Sequence, residues 1–371
     1  LMKGSNLSAR VKRVFRSLET DDIRADLILL KNGIEPHLDL SFFYLTGVES
    51  GLFEGSSLIA YPDGKTILYT SILEEESARK SGVRSVRTFR DEKEEVKLLK
   101  KEIGATATIG INARELTYSD FLSLKQILRG RYINVSSAIS KARMIKDRHE
   151  IAHLRRSAEI ANRTFSELPS ILNNNITESE AAAVLNSTML RYGASSPAFE
   201  PIVAFGPNSS EPHYSPKKRR LKKGDYALFD FGAKYMKYCS DISRTLVYGT
   251  APKELRDIYE IVLQANVLGI EALKSGEIAK DVHNKVAKFI DSTRYRGRFI
   301  HATGHTIGLA VHDGGSLSSR SETKLEDGMV FTVEPGIYVP GLGGVRIEDD
   351  VVVRGKKPDV LTHAPKELIE V

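Results

Sequence analysis

The spacing of hydrophobic and polar positions changes period several times along the chain. Up to about residue 140, short apolar runs alternate with amphipathic stretches. A helix to about Thr20 is followed by a buried strand, ADLILL at 25–30, and by SFFYLTGVES. In SLIAYPDGKTILYT an Asp-Gly turn separates two apolar runs, and a charged helix from about Ile72 precedes short strands near Val86 and Ala107. This is an α/β pattern with neither a G-x-G-x-x-G nor a Walker sequence, so nothing in it points to nucleotide binding. In KARMIKDRHEIAHLRRSAEIA the period becomes helical through Ile151, Leu154, Ala158 and Ala161, with Asp147 as N-cap and Glu150 three residues on. The boundary falls here and gives domains at 1–140 and 141–371. A second capping box, Thr177 to Glu180, opens a helix to about Tyr192, and two more helices are predicted at about 252–274 and 278–291.

Two stretches of period two read as hairpins. In GDYALFDFGAKYMKYCSDISRTLVYG, alternation leads into Asp230, and a β-branched run covers 242–247. Centring the turn between Tyr235 and Met236 sets Asp230 directly across from Asp241. In VFTVEPGIYVPGLGGVRIEDDVVV, the turn residues Pro340, Gly341, Gly343 and Gly344 centre on Gly341, about which Glu334 and Glu348 are symmetric. Opposed Cβ atoms lie roughly 4.5–5.5 Å apart, and like charges so placed destabilise a strand pair. Two carboxylate pairs therefore call for a shared cation, and two divalent ions would neutralise the group. Between the hairpins lies HATGHTIGLAVHDGG, with His301, His305 and His312. The competing reading pairs these acids with Arg244, Arg346, Lys234 or Lys237 as ordinary ion pairs; the joint occurrence of both symmetric pairs with GHTIG between them decides for the metal.

Composition sets the remaining limits. At 371 residues the chain is long enough for about two domains, and no apolar run approaches the roughly 18 residues that span a bilayer. LMKGSNLSARVKRVFRSLET lacks an apolar segment after its basic residues, so no secretory signal and a cytoplasmic location are expected. The one cysteine, Cys239, rules out an internal disulfide, fits a reducing compartment and reads as a structural residue. The net charge of +6 is a mild surplus, and its densest cluster, PKKRRLKK at 216–223, has no interleaved aromatics. It is read as a solvated connection, with neither a specific nucleic-acid partner nor a membrane expected.

The hairpins and the histidine stretch resemble the pita-bread metallopeptidases of the prolidase and aminopeptidase P group. DLSFFYLTG is similar to a segment of the N-terminal domain of prolidases, aminopeptidases P and creatinases, and KARMIKDRHEIAHLRRSAEIA resembles the domain-joining helix. The resemblance implies an α/β creatinase-like domain, then an α+β pita-bread catalytic domain whose curved, mainly antiparallel sheet carries helices on its outer face. It also implies two divalent ions: Asp241 and Glu348 bridge them, Asp230 chelates one, and His305 and Glu334 complete the other. Oxygen ligands with one imidazole suit manganese or cobalt, with iron or zinc as alternatives, and exclude a thiolate-type zinc site. Two ions about 3.5–4 Å apart activate a water and polarise a carbonyl. Glu334 then doubles as general base, while His213, in PIVAFGPNSSEPHYSP, and His312, in AVHD, match loops that bond the substrate carbonyl. His301 reads either as a substrate contact or as a partner to a ligand.

The reaction so implied is hydrolysis of the Xaa-Pro bond of dipeptides. The alternative is an aminopeptidase P acting on Xaa-Pro-Yaa peptides, and a more distant one is a non-catalytic binding protein on the same fold. VHDGG, where many prolidases have VHE-x-P, weighs toward aminopeptidase P. A dipeptidase must also hold a free carboxylate, for which Arg320 in SLSSRSETKLEDGMVFTVEPG is the candidate; Arg346, two residues before Glu348, shares that ligand's face and reads as its orienter. A homodimer formed through the N-terminal domain is expected.

Overall fold

The computed structural model describes residues 4–371 apart from 106 and 174, and the chain divides into two compact units, one ending at Arg143 and the other running Met144–Val371. In the first unit, a six-stranded sheet has the spatial order Ser85–Phe89, Thr66–Ser71, Ser57–Ala60, Leu27–Lys31, Thr108–Ile111, Arg131–Asn134. All its pairings are parallel except the two made by Ser57–Ala60. That strand is joined to the next by the Asp-Gly turn, where Gly64 takes φ 89° and Tyr61 N donates to Lys65 O at 2.9 Å. The helices Glu92–Glu102 and Tyr118–Ile127 bury Leu99 and Leu124 with Leu27, Leu29 and Ile109. The predicted helix near Ile72 starts later: a 3-10 turn, Ile72–Glu74, precedes the helix Glu75–Lys80, and Leu73 on that turn is 94% exposed.

In the second unit, both capping boxes form, at Asp147 with Glu150 and at Thr177 with Glu180, and start the helices Arg148–Phe165 and Glu178–Arg191. The later helices span Lys253–Ala272 and Ala279–Asp291. The strands pair as short ladders. Tyr226–Phe231 lies between Ile202–Phe205 and Ile242–Val247, and Val330–Val333, Asp349–Val352 and Asp359–Val360 form another ladder, all antiparallel. Phe229 and Phe231 pack with Ile160, Phe165 and Leu185 of the first two helices. With a period of two, this turns Asp230 to the opposite face of its strand. Tyr226, Val247, Ile337 and Val345 pack with Ile258, Val262 and Val286 of the later helices.

The basic run is tied into the fold. Arg219 pairs with Asp225 at 2.8 Å and its Nε donates to Phe205 O at 2.8 Å. No helix among the described residues is long and apolar enough to cross a membrane.

Candidate metal centre and active site

The second hairpin has the register its glycines imply. Gly336 pairs with Arg346 and Val339 with Gly343, and on the far side Val333 pairs with Asp349. Glu334 and Glu348 fall opposite each other in that continuous register. The first hairpin differs from its expected register. Tyr235 pairs with Tyr238 and Asp230 with Ser243, so the turn is Met236–Lys237, one residue later than the sequence suggested. Asp241 is therefore diagonal to Asp230 rather than opposed to it. Both turn residues have positive φ, 46° and 68°, as in the two-residue turn whose twist matches that of a hairpin. Asn-Gly or Asp-Gly would have signalled that turn; Met-Lys does not.

Four strands thus deliver the acids to one place, and a fifth delivers His305. The strand Gly304–His305 approaches closely enough that a Cβ on Gly304 would lie 1.8 Å from Thr332 O, so only glycine permits it. Thr332 Oγ1 accepts from His305 N at 3.0 Å and donates to Glu334 at 3.3 Å, fixing these two residues relative to one another. His305 Nε2 lies 3.6 Å from Asp241 Oδ2 and 3.5 Å from Glu334 Oε1. Ligand atoms of Asp241, His305 and Glu348 all lie within 4.8 Å of one another.

The electrostatics are those of a site assembled around positive charge. Burial first, and then Glu348 and Asp230, push the Asp241 carboxyl well above the usual range; burial, Glu334 and Asp230 do the same to Glu348. Burial lifts Glu334 to about 7 although Arg346 pulls the other way. Burial and the neighbouring His312 lower His305 to about 4, which leaves its imidazole neutral and able to coordinate. Oδ1 of Asp230 and Oδ1 of Asp241 are buried without a hydrogen-bond partner among the described residues. A buried carboxylate oxygen left so is costly unless a cation meets it. The donor set, mostly oxygen with one neutral imidazole, fits hard or borderline divalent ions.

One of the weighed ion pairs does form. Arg346 Nη2 is 2.5 Å from Asp230 Oδ2, its Nε donates to Ser243 Oγ at 2.8 Å, and Ser243 Oγ donates to Glu348 Oε2 at 2.6 Å. Arg346 thus orients an acid of each hairpin and offsets one of four negative charges. Arg244 instead pairs with Asp349, at 2.7 Å. Tyr338, which sequence reasoning missed, joins this network: its hydroxyl meets Arg346 Nη1 and His301 Nε2, both at 2.9 Å. A signal for it existed, since 334, 336 and 338 share one face, and glycines at 336 and 344 leave room for its ring. Asp350, also missed, accepts a bond from Asp241 N at 3.0 Å.

A cavity of about 410 Å3 is lined by all five acid and imidazole residues and by His213, His301, His312 and Arg346. His213 and His312 are exposed, and the His312 ring lies 4.2 Å from that of His305. Phe199, Ile202 and Val311 add an apolar wall. Arg320 is not brought to this site: it is exposed and outside the cavity lining. Cys239 is 1% exposed and also lies outside it.

Residues 152–355 match Metallopeptidase family M24, and residues 10–145 match the Creatinase/Prolidase N-terminal domain. The chain belongs to metallopeptidase family M24. An uncharacterized peptidase of Staphylococcus aureus is 36% identical over 333 residues, which cover 88% of this M24 chain and 93% of that protein. Among solved structures, an Xaa-Pro dipeptidase from Bacillus anthracis superposes with a TM-score of 0.90 at 33% identity, covering 98% of this chain and 100% of that one. An X-Pro aminopeptidase from Thermotoga maritima superposes with a TM-score of 0.88 at 32% identity, covering 96% and 100%. This M24 peptidase therefore has a creatinase-type N-terminal domain and a pita-bread domain.

Proposed function

We propose that this M24 peptidase hydrolyses the Xaa-Pro bond of dipeptides. The observation that carries the reading is the convergence of four carboxylates and four histidines on one cavity, with buried oxygens of Asp230 and Asp241 that lack a partner among the described residues. Asp230, Asp241, His305, Glu334 and Glu348 would hold two divalent ions, manganese or cobalt ahead of iron or zinc, which supply Lewis acidity and a water of lowered pKa. Glu334 has Oε1 engaged by Thr332 and leaves Oε2 to take the proton of the attacking water. His213 and His312 donate hydrogen bonds to the scissile carbonyl as its oxygen gains charge. His301, braced by Ala302 O at 2.8 Å and by Tyr338, presents its ring edge to the bound peptide. Phe199, Ile202 and Val311 receive the pyrrolidine ring.

Cleavage of Xaa-Pro-Yaa peptides, as by an aminopeptidase P, is the second reading, and the position of Arg320 favours it. Among the described residues, Arg346 is the only arginine or lysine lining the cavity, and it is already engaged by Asp230, Ser243 and Tyr338. Comparing kcat/KM on Xaa-Pro dipeptides and Xaa-Pro-Yaa tripeptides in manganese separates the readings. The dipeptidase prefers the former, and faster cleavage of tripeptides establishes the aminopeptidase; in either case Arg320→Ala should leave the dipeptide KM unmoved, because Arg320 stands outside the cavity. A non-catalytic binding protein would hydrolyse neither.

The assembly we propose is a cytoplasmic homodimer. On the N-terminal unit, Ile34, Leu52, Ile72 and Leu73 are 68%, 47%, 50% and 94% exposed. Glu74 accepts from Leu52 N and Phe53 N at 3.1 and 3.0 Å, and so draws three of these four residues to one edge that a second copy would cover.

A further inference from the structure

The segment that carries His213 is anchored on one buried carboxylate. Glu178, the first residue of the helix Glu178–Arg191, is 0% exposed. Its Oε1 accepts from Phe205 N at 2.8 Å and Asn208 Nδ2 at 2.9 Å; its Oε2 accepts from the Tyr214 hydroxyl at 2.8 Å and Lys217 N at 3.2 Å. A carboxylate offers about four acceptor positions, so four donors from residues 205–217 use its whole capacity. The helix start adds favourable charge for an anion there. The first turn also holds the far end of the segment, because Glu178 N donates to Arg219 O and Ser179 N to Lys217 O, both at 3.1 Å.

His213 sits at the middle of this clamp. The carbonyl of Pro212 accepts from Arg346 Nη1 at 3.4 Å, and the hydroxyl of Tyr214 is held by Glu178 and by Asn208 Nδ2 at 2.7 Å. Both neighbours of His213 are therefore fixed. The imidazole itself is exposed, lines the cavity and makes no hydrogen bond to any described residue. Nothing bonded to the ring sets its place; the backbone does, and the backbone is set from Glu178.

We propose that Glu178 is a positioning residue of this enzyme: it places the His213 imidazole over the cavity and acts on turnover through His213 alone. The inference rests on the reading of His213 as a donor to the scissile carbonyl. Glutamine at 178 keeps one acceptor oxygen but turns an NH2 toward Lys217 N, which is itself a donor, so that edge of the clamp opens. Tyr214→Phe removes the bond nearest His213 and leaves the other three in place.

The test is a double-mutant cycle on the full manganese-loaded chain. Glu178→Gln and Tyr214→Phe should each lower kcat on an Xaa-Pro substrate by about ten-fold, less than the roughly 100- to 1,000-fold that removing one transition-state donor outright costs. KM and manganese content should stay within about two-fold of the parent. In a His213→Ala background, neither substitution should lower kcat further. In metal-free protein labelled at histidine Cε1, the resonance lost in His213→Ala should shift in both variants. Equal losses with and without His213, or an unmoved resonance, overturn the inference and leave the reading of His213 intact. A His213→Ala enzyme with parental kcat overturns both. If Glu178→Gln does not fold, Tyr214→Phe decides by the same criteria.

Discussion

Arg346 is one of the residues that tie the two hairpins together, beside the Arg244–Asp349 pair and the Asp241–Asp350 bond. It contacts Asp230, Ser243 and Tyr338 at once, and Ser243 passes the contact on to Glu348. Removing it strands a buried Asp230 carboxylate. Arg346→Met should therefore destabilise the metal-free protein by about 3–5 kcal/mol in urea titrations. It should also weaken manganese binding by about 10–100-fold in calorimetry, as loss of a residue that orients ligands does. Parental affinity would show that the pair is incidental. Glu334 supplies a pH test. Its folded-state pKa is raised from 4.5 to about 7, so the stability it contributes is present at low pH and falls as pH rises through about 7. In metal-free protein, the melting temperature of Glu334→Gln relative to the parent should climb over that interval. A constant difference would mean that the carboxyl is not destabilised by its site. Asp349 has the opposite sign: burial would raise it, but Arg244 and Lys366 hold it low, so its contribution is lost only toward acid. The five residues proposed as ligands could be picked out in the sequence because each stood in or beside a recognisable local pattern, and the fold brings all five to one cavity. Asp350 acts by a contact that only the folded chain makes and occupies neither a turn nor a cap, whereas Tyr338 shared a face with Glu334 in a register the glycines already marked.

At the scale of elements, the helices showed themselves by their starts. Both predicted capping boxes form, because the side-chain bonds that define them are local in sequence. The hairpins show where local reading stops. Gly341 and Gly343, at φ 79° and 149°, mark the second turn, since positive φ favours glycine, and the register followed from them. Met236 and Lys237 take the same left-handed region without a signal, against a cost of roughly 1–2 kcal/mol per residue that the strand pairing on either side offsets. Met236→Asn, which tolerates that region better, should raise stability by about 0.5–1 kcal/mol in denaturant melts with turnover unchanged, because Met236 does not line the cavity. A loss of stability would show that the Met236 side chain contributes more than its backbone costs. Arg320 marks the other limit: an arginine in a loop has no period, and in the fold it stands exposed and outside the cavity.

For the whole molecule, the two-unit organisation followed from the change of pattern near Asp147, while assembly had no comparable signal in the chain. The proposed dimer rests on the exposed apolar edge of the N-terminal unit: the parent should run near twice 41.2 kDa by light scattering, and Leu73→Asp should shift it to a species near 41.2 kDa. An unaltered dimer mass would place the interface elsewhere. On the proposed reading, one centre built from Asp230, Asp241, His305, Glu334 and Glu348 would make this chain an Xaa-Pro hydrolase. Titrating manganese into metal-stripped protein while following Xaa-Pro hydrolysis tests it directly. Turnover should be absent without metal and should saturate as the second ion per chain binds. Hydrolysis by the metal-free chain, or two bound ions without hydrolysis of Xaa-Pro dipeptides or tripeptides, would contradict it.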